Sequence, residues 1–171
     1  RALFLKAGHR TAQFRLIAGA PLEVMPKLRD GAYDVVFVNG DKLDIAEHLF
    51  KTLRGRDNLV FANARSDVET YADLLARRCE RVNVANEFWP HHGSLAKEVR
   101  EVVEAQLKDR TRPVTAVCTS TPEMGIDIGS VASVAQIGPP PSVASLRQRL
   151  GRAGRRGEAA VLRMYVTEDE V

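Results

Sequence analysis

The sequence predicts an α/β fold: one domain built on a mostly parallel sheet with helices on both faces. Three observations carry this. Short apolar runs of strand character recur along the chain, the segments between most of them have helical periodicity, and no repeat, low-complexity tract or flexible linker divides it. A length of 171 residues with 44% hydrophobic and 27% charged residues suits one globular domain with a real core.

The strand-like runs are Phe14-Ile17, Val35-Val38, Leu59-Ala62, Glu87-Trp89, Val114-Cys118, Val134-Ile137 and Val161-Val166. Between the second and third lie Leu49, Phe50 and Leu53, which with Phe37 are candidates for core packing where the first third meets the rest. A helix is expected from Ser66, where Ser66 and Glu69 have capping-box spacing and Val68, Tyr71, Leu74 and Leu75 mark one apolar face. Ser94 is expected to cap a second helix with Leu95, Val99, Val102, Val103 and Leu107 inward. The rings of Pro139-Pro140-Pro141 forbid regular helix, so Ser142 can cap a third, burying Val143, Leu146 and Leu150 under an arginine-rich outer face.

The net charge of +3 is modest, but Arg147, Arg149, Arg152, Arg155 and Arg156 crowd a short stretch without an acid, which favours an acidic or phosphate-bearing partner. Two cysteines, Cys79 and Cys118, make no disulfide framework and fit a reducing, cytoplasmic compartment. No apolar run spans a bilayer, no n-region is followed by a hydrophobic signal core, and no metal cluster is legible. The adjacent His91-His92 lacks metal-ligand spacing and reads as a polar strand end. Trp89 reads as a core or strand-edge residue ahead of a base-stacking one.

Two motifs bear on chemistry. Thr119-Ser120-Thr121-Pro122-Glu123-Met124-Gly125-Ile126-Asp127-Ile128 follows a strand, at the carboxyl edge where parallel sheets place ligands. Its hydroxyls can donate to phosphate, Gly125 permits close backbone approach and Asp127 can accept from a ribose; the plainer alternative is a strand-to-helix turn with a glycine bend. Gln148-Arg149-Leu150-Gly151-Arg152-Ala153-Gly154-Arg155-Arg156 is a glycine-spaced arginine cluster suited to phosphates, and two glycines costing about 1 kcal/mol each gain nothing on a merely solvated helix face. The Gly-x-x-x-x-Gly-Lys-Ser/Thr loop that would cradle a nucleotide is missing, so half a site is present.

Taken jointly, these stretches resemble the fifth and sixth motifs of superfamily-2 helicases, in the second RecA-like lobe, a Rossmann-like α/β architecture. Leu59-Val60-Phe61-Ala62-Asn63-Ala64-Arg65-Ser66 resembles motif IV and Trp89-Pro90-His91-His92-Gly93-Ser94-Leu95 the motif after the next strand. From about Leu59 to Val171 the chain is similar to large-helicase-related (Lhr-like) ATP-dependent DNA/RNA helicases. The resemblance implies that Arg152 and Arg155 are arginine fingers, a role worth about 10³ to 10⁵ in rate in related phosphoryl transfers. It implies further that Gly125, Asp127 and Gln148 serve the nucleotide, and that Arg65, Ser66, His92, Gly93, Thr119 and Ser120 line the nucleic-acid backbone. Pro122 departs from the family pattern, where leucine is usual before the glutamate.

The first third differs. Phe14 to Leu28 followed by Tyr33-Asp34-Val35-Val36-Phe37-Val38-Asn39-Gly40-Asp41-Lys42 reads as strand, helix, strand and resembles a piece of a SAM-dependent O-methyltransferase of the caffeoyl-CoA type. Its Gly19-Ala20 turn would lie near the adenine of that cofactor. The first acid of the family's Asp-x-Asp-Lys metal signature is Asn39 here, which removes a charge that a hard cation prefers. The cofactor's glycine-rich loop is not in the chain, so SAM is not expected to bind and 1–42 is expected to act as a β-α-β scaffold. Together these readings imply an engineered chimera of two Rossmann-like parents: a methyltransferase-like segment at 1–42, a junction at 43–58 and a helicase-lobe segment at 59–171, forming one domain.

The expectation is therefore a folded chimera without a complete active site, no enzyme on its own, that needs no cofactor and retains weak contacts to single-stranded DNA or RNA, as monomer or dimer. The alternatives are a natural or truncated helicase lobe, which would use ATP and Mg²⁺ only with a partner lobe, and a residual methyltransferase.

Overall fold

The computed structural model describes residues 36–119, 131–154 and 160–167. The expected strand Phe14-Ile17 and the Gly19-Ala20 turn lie outside the described residues. The described elements are β1 (Val36–Gly40), α1 (Lys42–Leu53), β2 (Asn58–Phe61), α2 (Arg65–Arg81), β3 (Phe88–His91), α3 (Lys97–Asp109), β4 (Thr115–Cys118), β5 (Ser133–Ile137), α4 (Val143–Leu150) and β6 (Val161–Thr167). The strands form one sheet in the order β1-β6-β5-β2-β4-β3, and every described pairing is parallel. The predicted α/β class is the observed one. No helix of the described residues is long and apolar enough to cross a membrane.

Right-handed crossovers explain the two layers. The chain moves one way along the sheet from β1 to β2 and from β2 to β3, then the other way from β3 to β4, β5 and β6, so the covering helices change face. One core accordingly joins Ile45, Leu49, Phe50 and Leu53 of α1 to Val68, Tyr71 and Leu75 of α2 over Val60, Val117, Ala135 and Tyr165. The other joins Val103 and Leu107 of α3 to Leu59, Phe61, Ala116, Cys118 and Val134, with Val131 and Ala153 at its border. Leu49, Phe50 and Leu53, expected to pack at a seam, sit in a core continuous with α2.

The sheet's centre is pinned by a buried polar knot at its amino end. Asn58 opens β2 and donates through Nδ2 to the carbonyls of Leu53 (2.7 Å) and Arg56 (2.8 Å) and to Thr115 Oγ1 of β4 (3.1 Å). Its Oδ1 accepts from Ser133 Oγ of β5 at 2.8 Å. Asp57 adds an Oδ1 that accepts from Val114 N at 3.0 Å and a carbonyl that accepts from Ala132 N at 2.8 Å. One residue pair thus sets the register of three strands.

Several local expectations are corrected. The α2 N-cap is Ala64, with no side-chain cap, and Ser66 lies inside the first turn, its carbonyl accepting from Thr70 Oγ1 at 2.7 Å. Ser94 does not cap α3, which starts after an uncapped Ala96. Only Val103 and Leu107 of α3 are buried, while Val99 and Val102 are exposed, because a helix over the last two strands of a sheet meets it with one narrow stripe. Ser142 does cap α4, Oγ accepting from Ser145 N at 3.0 Å. Yet Val143 is 70% exposed, Leu146 and Leu150 are half-buried, and the deeply buried residue of α4 is Arg149. Strand β3 runs on through Pro90 to His91, which an edge strand permits because the missing N–H can face away from its neighbour. In place of a metal signature, Asp41 caps α1 by accepting from Asp44 N at 2.8 Å, and Lys42 pairs with Asp67 at 2.8 Å.

Between α1 and β6, His48 Nδ1 lies 2.8 Å from Tyr165 Oη. Burial raises the Tyr165 pKa, so its hydroxyl stays protonated. Burial holds His48 down at about 4 from 6.5, with the Arg163 and Lys51 cations acting in the same direction. The unfolded imidazole binds its proton near pH 6.5 and the folded one only near 4, so stability falls as pH drops through that window, by up to about 3 kcal/mol. Melting temperatures recorded from neutral pH downward should therefore fall more steeply for the unaltered chain than for His48→Gln. Leu49→Ala, in the same layer, should cost about 2–5 kcal/mol in denaturant titration.

Candidate functional site

Because all described strands run the same way, their carboxyl ends share one edge, and most candidate residues of the nucleic-acid group gather there. Arg65 and Ser66 open α2 just beyond β2, His92 and Gly93 follow β3, and Thr119 follows β4. Arg65, Ser66 and Gly93 are exposed and Thr119 is half-buried. His92 is 4% exposed, with Nε2 3.3 Å from Glu69 Oε1 of α2, which places its ring under the loop and not on the open surface. Neighbouring His91 is also buried, 3.0 Å through Nε2 from Glu104 Oε1 of α3. Ser120, Gly125, Asp127 and Arg155 lie outside the described residues, as does Pro122.

The same edge presents two helix N-termini, of α2 and α3, without side-chain caps. Their free N–H groups and dipoles favour an anion such as a phosphate. Adjacent β5 and β2 send their connections to opposite faces, which makes this edge the sheet's topological switch point. Asn63 ties the two connections together, Nδ2 donating to Pro139 O at 2.8 Å. Helix α4 starts here and runs back toward the amino edge.

Arg152 is therefore at the opposite end of the sheet. Its carbonyl accepts from Val131 N at 3.0 Å, just before β5 begins, and Ala153 bridges Val131. Arg152 is half-buried and, among the described residues, has no ion pair; Gln148 is exposed, one turn earlier. Gly151 ends α4 with its N–H on Arg147 O at 2.9 Å in ordinary helical geometry, whereas Gly154 at φ 71° occupies a conformation that favours glycine. The two glycines stop the helix and turn the chain, so the arginine cluster is one helix end and a loop, not one helix face.

Sequence reasoning missed Arg149. It is 2% exposed, its Nη1 donates a short hydrogen bond to Gln136 Oε1, and its guanidinium lies 4.5 Å from the Phe61 ring centroid. Gln136 and Phe61 are partners in the β2-β5 register. Gln136 Nε2 in turn donates to the carbonyls of Ile137 (2.9 Å) and Gly138 (3.2 Å). Burial lowers the Arg149 pKa from its ordinary value, and burial pushes the nearby Cys118 thiol up to about 12. No groups of three or more His, Cys, Asp or Glu able to hold a metal occur among the described residues.

The helicase conserved C-terminal domain family matches residues 41–157 of this layout, more than half of the chain. The chain belongs to the helicase conserved C-terminal domain family. That match takes in the whole stretch expected as a junction, 43–58, and the last two residues of the segment before it. Similar proteins include ATP-dependent helicase Lhr-Core protein 2 of Thermococcus barophilus, 38% identical over 128 residues and covering 72% of this chain and 14% of the relative. ATP-dependent helicase Lhr-Core of Saccharolobus solfataricus is 31% identical over 153 residues, 85% of this chain and 17% of the relative. Among solved structures, helicase Lhr of Mycobacterium smegmatis bound to ssDNA and AMP-PNP is similar with a TM-score of 0.66 and 34% identity, over 78% of this chain and 19% of that one. The chain thus spans less than a fifth of the length of these relatives. The match covering 85% of the chain is more than residues 43–171 alone can supply, so it enters the segment read as methyltransferase-like. The chimera and the methyltransferase parent find no support in these comparisons.

Asn63→Ala should remove the tie to Pro139 and lower unfolding free energy by about 1 kcal/mol, read by denaturant titration. Cys79 and Cys118 are both buried. Their reaction with a disulfide reagent should be slow in the native chain and immediate in guanidinium.

Proposed function

We propose that this chain is the second lobe of an Lhr-like ATP-dependent helicase, working on ATP only when a first lobe faces it. The observation that carries the reading is the division of candidate groups between two sheet edges. The residues suited to a nucleic-acid backbone stand at the carboxyl edge with two uncapped helix N-termini, and Arg152 stands at the amino edge, its backbone pinned to Val131. A strand of DNA or RNA would lie across Arg65, Ser66, Gly93 and Thr119, with phosphates drawn to the helix ends. His92, being buried, would shape the Gly93 loop through its contact with Glu69.

ATP would be gripped chiefly by the first lobe, which must bring the phosphate cradle and the carboxylates for Mg²⁺. From this side Arg152, and Arg155 beyond it, would meet charge developing on the transferred phosphoryl group, while Gln148 would touch the facing lobe. The family matched by the chain and the helicase relatives support this reading.

Joined to the first lobe of a similar helicase, the chain should hydrolyse ATP, and Arg152→Ala should lower kcat on the order of 10³-fold with little change in KM. Anisotropy of a labelled single strand should show binding by the chain alone that weakens with salt and with Arg65→Ala. Absence of both activities in a cooperatively folded protein would overturn the reading.

A further inference from the structure

The backbone around Arg152 is tied to Val131, and three residues earlier in the same helix end Arg149 is buried. A cation carried into the interior needs compensation, and among the described residues Arg149 receives it without a carboxylate: one planar hydrogen bond to Gln136 Oε1 and the face of Phe61. Its Nε finds no acceptor among the described residues, so the bond to Gln136 and the ring below constrain the guanidinium plane. Gln136 is itself immobilised by the Ile137 and Gly138 carbonyls, so the anchor is rigid. Arg152 N donates to Arg149 O at 3.0 Å, which ties Arg152 directly to the anchored turn.

We infer that Arg149 is a positioning residue: locked against Gln136 and Phe61, it sets the rotation and height of the last turn of α4 and so delivers Arg152 to the phosphates. The assignment rests on the reading of Arg152 as a phosphate ligand. It needs no contact between Arg149 and any ligand, which its burial forbids. A lysine at this place keeps the charge but lacks the fork and the flat face that the Gln136-Phe61 seat requires.

The test uses the chain itself, with inorganic tripolyphosphate titrated by calorimetry. Arg152→Ala should weaken binding about tenfold, the value of a charge-assisted contact. Arg149→Lys should weaken it comparably although net charge is unchanged, and Arg149→Lys/Arg152→Ala should bind no worse than Arg152→Ala alone. Phe61→Leu, a milder change that removes only the stacking face, should give a smaller loss of the same non-additive kind in a protein that still melts cooperatively, so the test survives if the lysine variant fails to fold. Additive losses, or unaltered affinity in Arg149→Lys and Phe61→Leu beside a normal Arg152→Ala loss, would overturn the positioning role alone. Affinity untouched by Arg152→Ala would overturn the phosphate reading, and this assignment with it.

Discussion

The buried side chain of Asn58 is the constraint on which the rest depends. It joins the α1-β2 turn, β4 and β5 in one set of hydrogen bonds at the sheet's amino end, with Asp57 fastening the flanking backbone. A parallel sheet lacks the tight hairpins that fix register elsewhere, and a slip by one residue would exchange the two faces of β2. Val60 would leave the α1-α2 core and Phe61 would leave the seat beneath Arg149. Buried amides satisfied on every side are costly to disturb, which makes this knot a specifier of the fold as much as a source of stability.

Much of the architecture was legible because strand length and apolar content are local properties. Each described strand falls on a run that the sequence marks, within a residue or two, and Ser142 after three prolines is a capping signal that tertiary structure has no reason to override. The caps at Ser66 and Ser94 misled because side-chain spacing cannot report where a loop delivers the chain into its helix: here Asn63 is committed to Pro139, and α2 begins at Arg65. The inward face of α4 was misread for a related reason. Hydrophobicity places Val143 inside and arginine outside, but the buried position on this turn lies above Gln136 and Phe61, where an aromatic face and an amide oxygen suit a guanidinium better than an isopropyl group.

For the candidate site, the family was legible and the spatial arrangement of the residues was not. The spacing of glycine-separated arginines after a hydroxyl-bearing loop pointed to the right family. What the sequence does not display is that α4 carries the chain from one sheet edge to the other, so residues only a few tens of positions apart stand at opposite ends. The exposure of Gly93 and the burial of His92, adjacent in the chain, are likewise consequences of α2 packing beside β3, through Glu69. Arg149 gave no separate signal: amid four other arginines its composition looks the same as theirs.

Among the described strands β3 closes one margin of the sheet, and Pro90 sits within it. A parallel edge of unbroken amides is an invitation to any passing strand, including one from a second molecule. By deleting a donor where such a visitor would bond, the ring makes the margin a poor template for a further strand.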